Sequence, residues 1–328
     1  MSKKYPFVQL PFFSGLLMTL IALASLAISQ TCYAADAAWP KEINLGYQKY
    51  GTLIILKSTG ELEKRLKEHA ITVNWAEFQF GPPMLEALNA GSLDIAVTGE
   101  TPPVFAQASK NSPLVYVANE PASPQGEGIV VKADSELKSV AELKGKKVVV
   151  AKGANAHFFL IQALAKAGLT LNDITPIYLA PADARAALER GDVAAWSIWD
   201  YFYAAAEVQL GVRTLTNGEG IVNNYAFYTS RRDFTDKYPE LIEIVLDEIR
   251  KTDEWIKNNP AAAAEKLSVH VGIDAKILEK ALRRSNYGPE HIKPEVTAAQ
   301  QKIADTLFDI KLLPKPIKVE DAVWQPKK

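Results

Sequence analysis

Short apolar runs alternate along this chain with stretches of helical spacing, and one such pair occurs twice. Leu88-Asn89-Ala90-Gly91-Ser92-Leu93-Asp94-Ile95-Ala96 is answered one hundred positions later by Leu188-Glu189-Arg190-Gly191-Asp192-Val193-Ala194-Ala195-Trp196, the mark of one supersecondary unit used twice. Each copy predicts helix, glycine stop and buried strand. The glycine stands where a helix end wants a left-handed residue, and the apolar run after it suits a strand covered on both faces. The same alternation predicts strands at 43–47, 73–78, 93–98, 114–117, 128–132, 147–151, 174–179, 193–199 and 225–229. Helices are expected at 53–57, 84–89, 104–109 (Thr101 as N-cap, Pro102 at the first helical position), around 140–143, and at 158–167 and 183–190. From Pro239 onward Leu241, Ile242, Val245, Leu246 and Ile249 recur at helical spacing, and 261–267 and 277–282 continue it. Carrying the repeat forward puts Glu100 opposite Asp200, each just past the carboxyl end of its strand. Open parallel sheets bind ligands outside that end, so two facing sheets would bring both carboxylates to one cleft.

The pattern therefore implies an α/β protein of two doubly wound lobes. The Pro-, Ser- and Gly-rich stretch 119–128 and the Gly/Asn cluster at 217–224 read as two crossings between them. Residues 35–127 plus 224–328 are expected to form a discontinuous lobe I with the C-terminal helices, and 128–223 lobe II. Residues 1–34 are set aside as a signal peptide: Lys3 and Lys4 precede an almost unbroken apolar run, and Cys32-Tyr33-Ala34 offers the small residues of a cleavage site. Cleavage near Ala34 removes the one cysteine of the chain, leaving no thiol, disulfide or cysteine metal site. A retained membrane anchor is the alternative. Lys plus Arg total 37 against 38 for Asp plus Glu, so no global field attracts nucleic acid.

Four strand-to-helix loops, around Gln48, Thr98, Asn155 and Trp199, occupy matching places in the two lobes and should open on the cleft. A helix start presents unpaired N–H groups and a partial positive charge, which suits an oxyanion. Gly153, Ala154 and Ala156 allow close backbone approach, while Asn155, Gln48, Thr98 and Thr101 add neutral donors. Asn155 has a blander alternative, capping its own helix. These loops hold no arginine, so Lys49 and His157 are the local cations available. Hydrogen bonds to a charged group contribute roughly 1.5 to 3 kcal/mol each, enough for a site that holds and releases an anion. Trp199, Tyr201, Phe202 and Tyr203 could cover an apolar tail. Glu100 and Asp200 would repel a strong-acid anion; they meet a ligand amine, bind donors from the facing lobe or fix their loops. The four histidines lack metal-ligand spacing, and none of the common hydrolase, zinc-protease or nucleotide motifs occurs. No cofactor or metal is expected.

Gly46-Tyr47-Gln48-Lys49-Tyr50-Gly51, Val97-Thr98-Gly99-Glu100-Thr101-Pro102-Pro103-Val104-Phe105-Ala106-Gln107-Ala108, Pro181-Ala182-Asp183-Ala184-Arg185-Ala186-Ala187 and Ile198-Trp199-Asp200 resemble the aliphatic sulfonate binding proteins that feed ABC importers. The resemblance runs from about Ile43 to past Phe234. It implies a type II periplasmic binding fold, a monomeric, non-enzymatic receptor in the periplasm, an organosulfonate ligand, and an inner-membrane permease as partner. It also implies that Gln48, Thr98, Gly99, Glu100, Thr101, Asn155, His157, Trp199 and Asp200 face the ligand. Ala154 stands where the family tends to carry serine, and Tyr201 where it often carries proline, which bears on the choice of sulfonate. Binders of taurine, nitrate or a thiamine-precursor pyrimidine share the architecture. An enzyme on the same scaffold and a membrane-tethered sensor are the other classes weighed.

Overall fold

The computed structural model describes residues 1–4, 6 and 39–326. The expected cleavage point near Ala34 and Cys32 lie outside the described residues. Among those described, no helix is long and apolar enough to cross a membrane.

The chain lays down β1 (Glu42–Tyr47), α1 (Thr52–Thr59), α2 (Glu61–Lys67), β2 (Thr72–Glu77), α3 (Gly81–Asn89), β3 (Ile95–Gly99), α4 (Thr101–Gln107) and β4 (Leu114–Asn119). It then supplies β5 (Glu127–Val131), β6 (Lys147–Val150), α5 (Asn155–Lys166), β7 (Thr175–Tyr178), α6 (Pro181–Arg190), β8 (Ala195–Trp199), α7 (Phe202–Gln209) and β9 (Arg213–Asn217). β10 (Ala226–Arg231), α8 (Arg232–Lys237), α9 (Pro239–Asn258), α10 (Pro260–Val271), α11 (Ala275–Leu282), β11 (Glu290–His291) and α12 (Pro294–Asp309) follow.

These strands form two sheets, ordered β11-β4-β10-β3-β1-β2 and β7-β6-β8-β5-β9. The duplicated unit is visible in both. β3 lies parallel to β1 and antiparallel to β10, and β8 lies parallel to β6 and antiparallel to β5. Each antiparallel neighbour is the first strand after the chain has crossed from the other sheet. The two crossings run side by side: Ser123 N donates to Asn223 O at 3.0 Å, Gly218 N to Pro124 O at 3.1 Å and Glu120 N to Ala226 O at 2.8 Å. β8 is buried at every position and β3 at all but its last, as expected of strands between helical layers. Trp196 and Phe159 anchor the core of the second sheet.

Several elements depart from the pattern-based expectation. Residues 140–143 make only a 3₁₀ turn, and α5 begins at Asn155, three residues earlier than its apolar run. Phe202 and Tyr203 belong to a helix, α7, with Tyr203 buried. α12 was not anticipated because its buried stripe of Val296, Ile303 and Leu307 is interrupted by a buried amide, Gln300. That amide has a partner: Gln300 Nε2 donates to Glu100 O at 2.5 Å.

Gly91 and Gly191, the punctuation of the repeat, have φ of 81° and 79°, and a Cβ at either would meet open space. The cost of a side chain there is therefore purely that of the left-handed backbone. Gly91→Ala and Gly191→Ala should each destabilise the protein by about 1 kcal/mol, read as a lower urea midpoint at unchanged slope. An unchanged midpoint would mean that the turns are not the fixed points of the repeat.

Candidate functional site

The carboxyl ends of β1, β3 and β8 and the start of α5 meet at one cavity. Gln48 and Tyr50 come from the loop after β1, Gly81 from the start of α3, and Gly99 and Pro102 from the β3–α4 corner. Ala154 and Asn155 come from the start of α5, Trp199 from the end of β8 and Asn224 from the second crossing. Gln48 and Asn155, from different sheets, thus open on the same hollow. A second cavity shares Tyr50 and Asn224 and is walled by Tyr201, Tyr228, Tyr287 and Glu120.

Asn155 is the hub. Ala154, in extended conformation, is the N-cap of α5, and no side-chain cap bond is made. The Asn155 side chain is thereby free to leave its own helix. Its Oδ1 accepts from Thr101 N at 2.9 Å, and its Nδ2 donates to Asn224 Oδ1 at 2.8 Å. Asn224, held at a φ of 53° that asparagine tolerates better than most residues, passes the chain on to Ser123 O at 2.8 Å. Gly99 is required beneath this bridge, since a Cβ there would collide with the Asn155 carboxamide. Gln48 Nε2 donates to Val97 O at 3.1 Å. The cavity is therefore faced by neutral, mutually satisfied dipoles.

Other predicted residues lie behind this surface. Thr98 is fully buried with its hydroxyl on Gly99 O at 2.8 Å. Thr101 is the first residue of α4 rather than its N-cap, because Asn155 reaches the N–H from across the cleft; its own hydroxyl has no partner. Glu100 is buried, accepts from Tyr225 N at 3.0 Å, and is pushed up to about 7 by desolvation. Asp200 accepts from Ala204 N at 2.9 Å and is likewise pushed up to about 7 by burial, against the lowering pull of Arg284 at 3.4 Å. In this structure both acids bind donors and fix loops. His157 stands apart from the cavity. Its Nδ1 accepts from Gly153 N at 3.2 Å and its ring meets Tyr178 edge-on, while burial lowers it to about 4, so it is a neutral base. Lys49 is half-exposed beside Glu77 at 3.9 Å. Neither expected cation faces the cavity.

The motif reading missed Tyr50, Asn224 and Arg284. Asn224 had a signal, its Gly/Asn-rich crossing. Arg284 had none: it arrives from just beyond α11, stacks over Tyr203 at 4.4 Å, and pairs with both Asp200 and Glu207.

Residues 67–263 match the family model described as NMT1/THI5 like. The chain is 41% identical over 93% of its length, and 96% of the relative's, to an Escherichia coli protein named for aliphatic sulfonate binding. It belongs to the aliphatic sulfonate-binding protein family. A Bacillus subtilis protein named in the same way is 34% identical over 86% of both chains. The structure of the alkanesulfonate-binding protein from Xanthomonas axonopodis pv. citri bound to MOPS superposes with a TM-score of 0.84 at 37% identity, covering 88% of this chain and 99% of that one. As in that family, the architecture is a two-lobed α/β periplasmic binding fold.

The buried acids give the family scaffold a pH signature. Glu100 and Asp200 titrate at about 7 in the fold against 4.5 and 3.8 otherwise, and Asp253 at about 6 against 3.8. Between those values the folded chain keeps protons that the unfolded chain has released, so stability present in acid is lost as pH rises toward 7. His157, about 4 in the fold against 6.5, acts oppositely, losing stability as pH falls through that window. The acids outnumber it, so the melting temperature of ligand-free protein should fall between about pH 5.5 and about pH 7.5, with a shallower fall in Glu100→Gln. A melting temperature that rises across that window would refute the assignment.

Proposed function

We propose that the protein is an exported receptor, cut near Ala34, that captures an aliphatic sulfonate in the cavity between its lobes and delivers it to an ABC permease for sulfur acquisition. The observation that carries this reading is the Asn155 bridge. One neutral side chain of the second lobe is held on a backbone donor of the first, at the wall of the cavity that Gln48, Gly99 and Trp199 share. A sulfonate oxygen is the same kind of acceptor as the Asn155 carbonyl. On binding, Asn155 Nδ2 and Gln48 Nε2 exchange Asn224 and Val97 oxygens for ligand oxygens, and the Trp199 ring covers the tail. Such exchanges favour a ligand because each donor stays paired while an anion gains charge-assisted bonds.

The receptor carries out no covalent chemistry. Amides, a phenol, an indole, glycine and proline face the cavity, and no nucleophile beside a general base is among them. His157, in the first turn of α5, is occupied by Gly153 N–H and Tyr178.

Thermal unfolding of the mature chain with alkanesulfonates, taurine, sulfate, nitrate, phosphate and a hydroxymethylpyrimidine in turn tests the reading. A ligand at about 100 times its dissociation constant adds about 2.7 kcal/mol, a rise of a few degrees for a protein of this size. Sulfonates should give that rise, and Asn155→Ala should abolish it while the ligand-free variant still melts cooperatively. A rise with nitrate or the pyrimidine alone would reassign the ligand, and a sulfonate response surviving Asn155→Ala would misplace the site. A mass change in the recovered ligand would make the protein an enzyme.

A further inference from the structure

The two cavities are walled by the same strand-end loops. After β1, Gln48 borders the first cavity, Tyr50 borders both, and Gly51 and Thr52 border the second. On β3, Gly99 borders the first and Val97, two residues earlier, the second. At the end of β8, Trp199 borders the first and Tyr201, two residues later, the second. Asn224 lines both. The second cavity is thus the next step along these loops, beyond Tyr50 and Asn224 from the place that Trp199 covers.

Much of its polar lining is already paired. Glu120 accepts from Tyr228 Oη at 2.6 Å and from Gly288 N at 2.9 Å. Tyr287 Oη donates to Leu282 O at 2.9 Å, and Thr52 Oγ1 donates to Asp253. Tyr201 differs. It is 3% exposed, and its hydroxyl has no hydrogen-bond partner. Among the groups that bear on that hydroxyl, Tyr287, Tyr50 and the Gly51 backbone line the same cavity, so the O–H is turned toward the hollow. Burial holds the phenol well above its usual range; it keeps its proton and is a donor without an acceptor.

Such a donor is costly until an oxygen reaches it. The entering group must accept a hydrogen bond, which an ammonium cannot do. An ionised carboxylate is disfavoured as well, because no Lys, Arg or His is among the residues lining this cavity and a buried charge needs a partner. A terminal hydroxyl is the smallest uncharged acceptor that a tail can carry. We propose that the second cavity seats the far end of the ligand and that Tyr201 determines its specificity, selecting sulfonates whose tail ends in a hydroxyl. The sulfonate lies toward Gln48 and Asn155, the tail passes Trp199 and Tyr50, and the terminal oxygen accepts from Tyr201 Oη. This rests on the sulfonate reading above and adds the determinant of its tail.

Calorimetric titration of the mature chain with ω-hydroxyalkanesulfonates of three to five carbons tests it, each against its 2-hydroxy isomer and the plain alkanesulfonate in which methyl replaces the hydroxyl. Wild type should bind the ω-hydroxy compound about tenfold tighter or more than either at the best-fitting length. Tyr201→Phe, which keeps the ring and removes only the hydroxyl, should erase that preference. The 2-hydroxy isomer keeps the test decisive should the variant misfold, because it moves the oxygen away from the second cavity without touching the protein. Equal binding of ω-hydroxy, 2-hydroxy and plain sulfonates at every length, as expected if a water satisfies Tyr201, would overturn the assignment while leaving the sulfonate reading intact. A preference that survives Tyr201→Phe would overturn it too. Failure of every sulfonate to bind would remove both.

Discussion

The arrangement depends on a backbone donor at the start of α4 that finds its acceptor in the other lobe. The first N–H groups of a helix have no partner within it, and Thr101 N meets that need through Asn155 Oδ1. Three local choices make the bond available. Ala154 rather than Asn155 takes the capping position. Gly99 leaves room for the carboxamide. Asn224 occupies its remaining donor and ties it to the first crossing. The two sheets are thereby joined at the cavity by hydrogen bonds whose acceptors are neutral amide and carbonyl oxygens, so no buried donor of the bridge is left unpaired.

Behind that neutral surface lies a charged layer. Glu100 and Asp200, the equivalent positions of the two copies, have diverged in what they hold: Glu100 clamps the second crossing through Tyr225 N, whereas Asp200 draws in Arg284 from the C-terminal helices. Equivalent placement at the strand ends therefore brings the same side-chain type to both loops without fixing its role. The acids sit in low-dielectric surroundings, and burial pushes both up to about 7, which lessens the repulsion an anionic ligand meets at this wall.

The fold was legible because its central strands are buried on both faces and its repeat is marked by glycines whose φ only such residues adopt easily. Of the site, the parts fixed by the strand-end rule were legible: Gln48, Gly99, Asn155 and Trp199 line the cavity. His157, although one helical step from the cavity wall, turns to Gly153 and Tyr178 because its ring nitrogen accepts a local N–H. Arg284 was illegible because it reaches Asp200 through a tertiary contact across 84 positions.

The paired crossings carry a further implication. Because the segments joining the two sheets are bonded to each other through Ser123, Asn223, Pro124 and Gly218, they form one strap rather than two independent linkers. Most residues that line the chamber stand on other segments, so most of its lining can be altered without touching the joint.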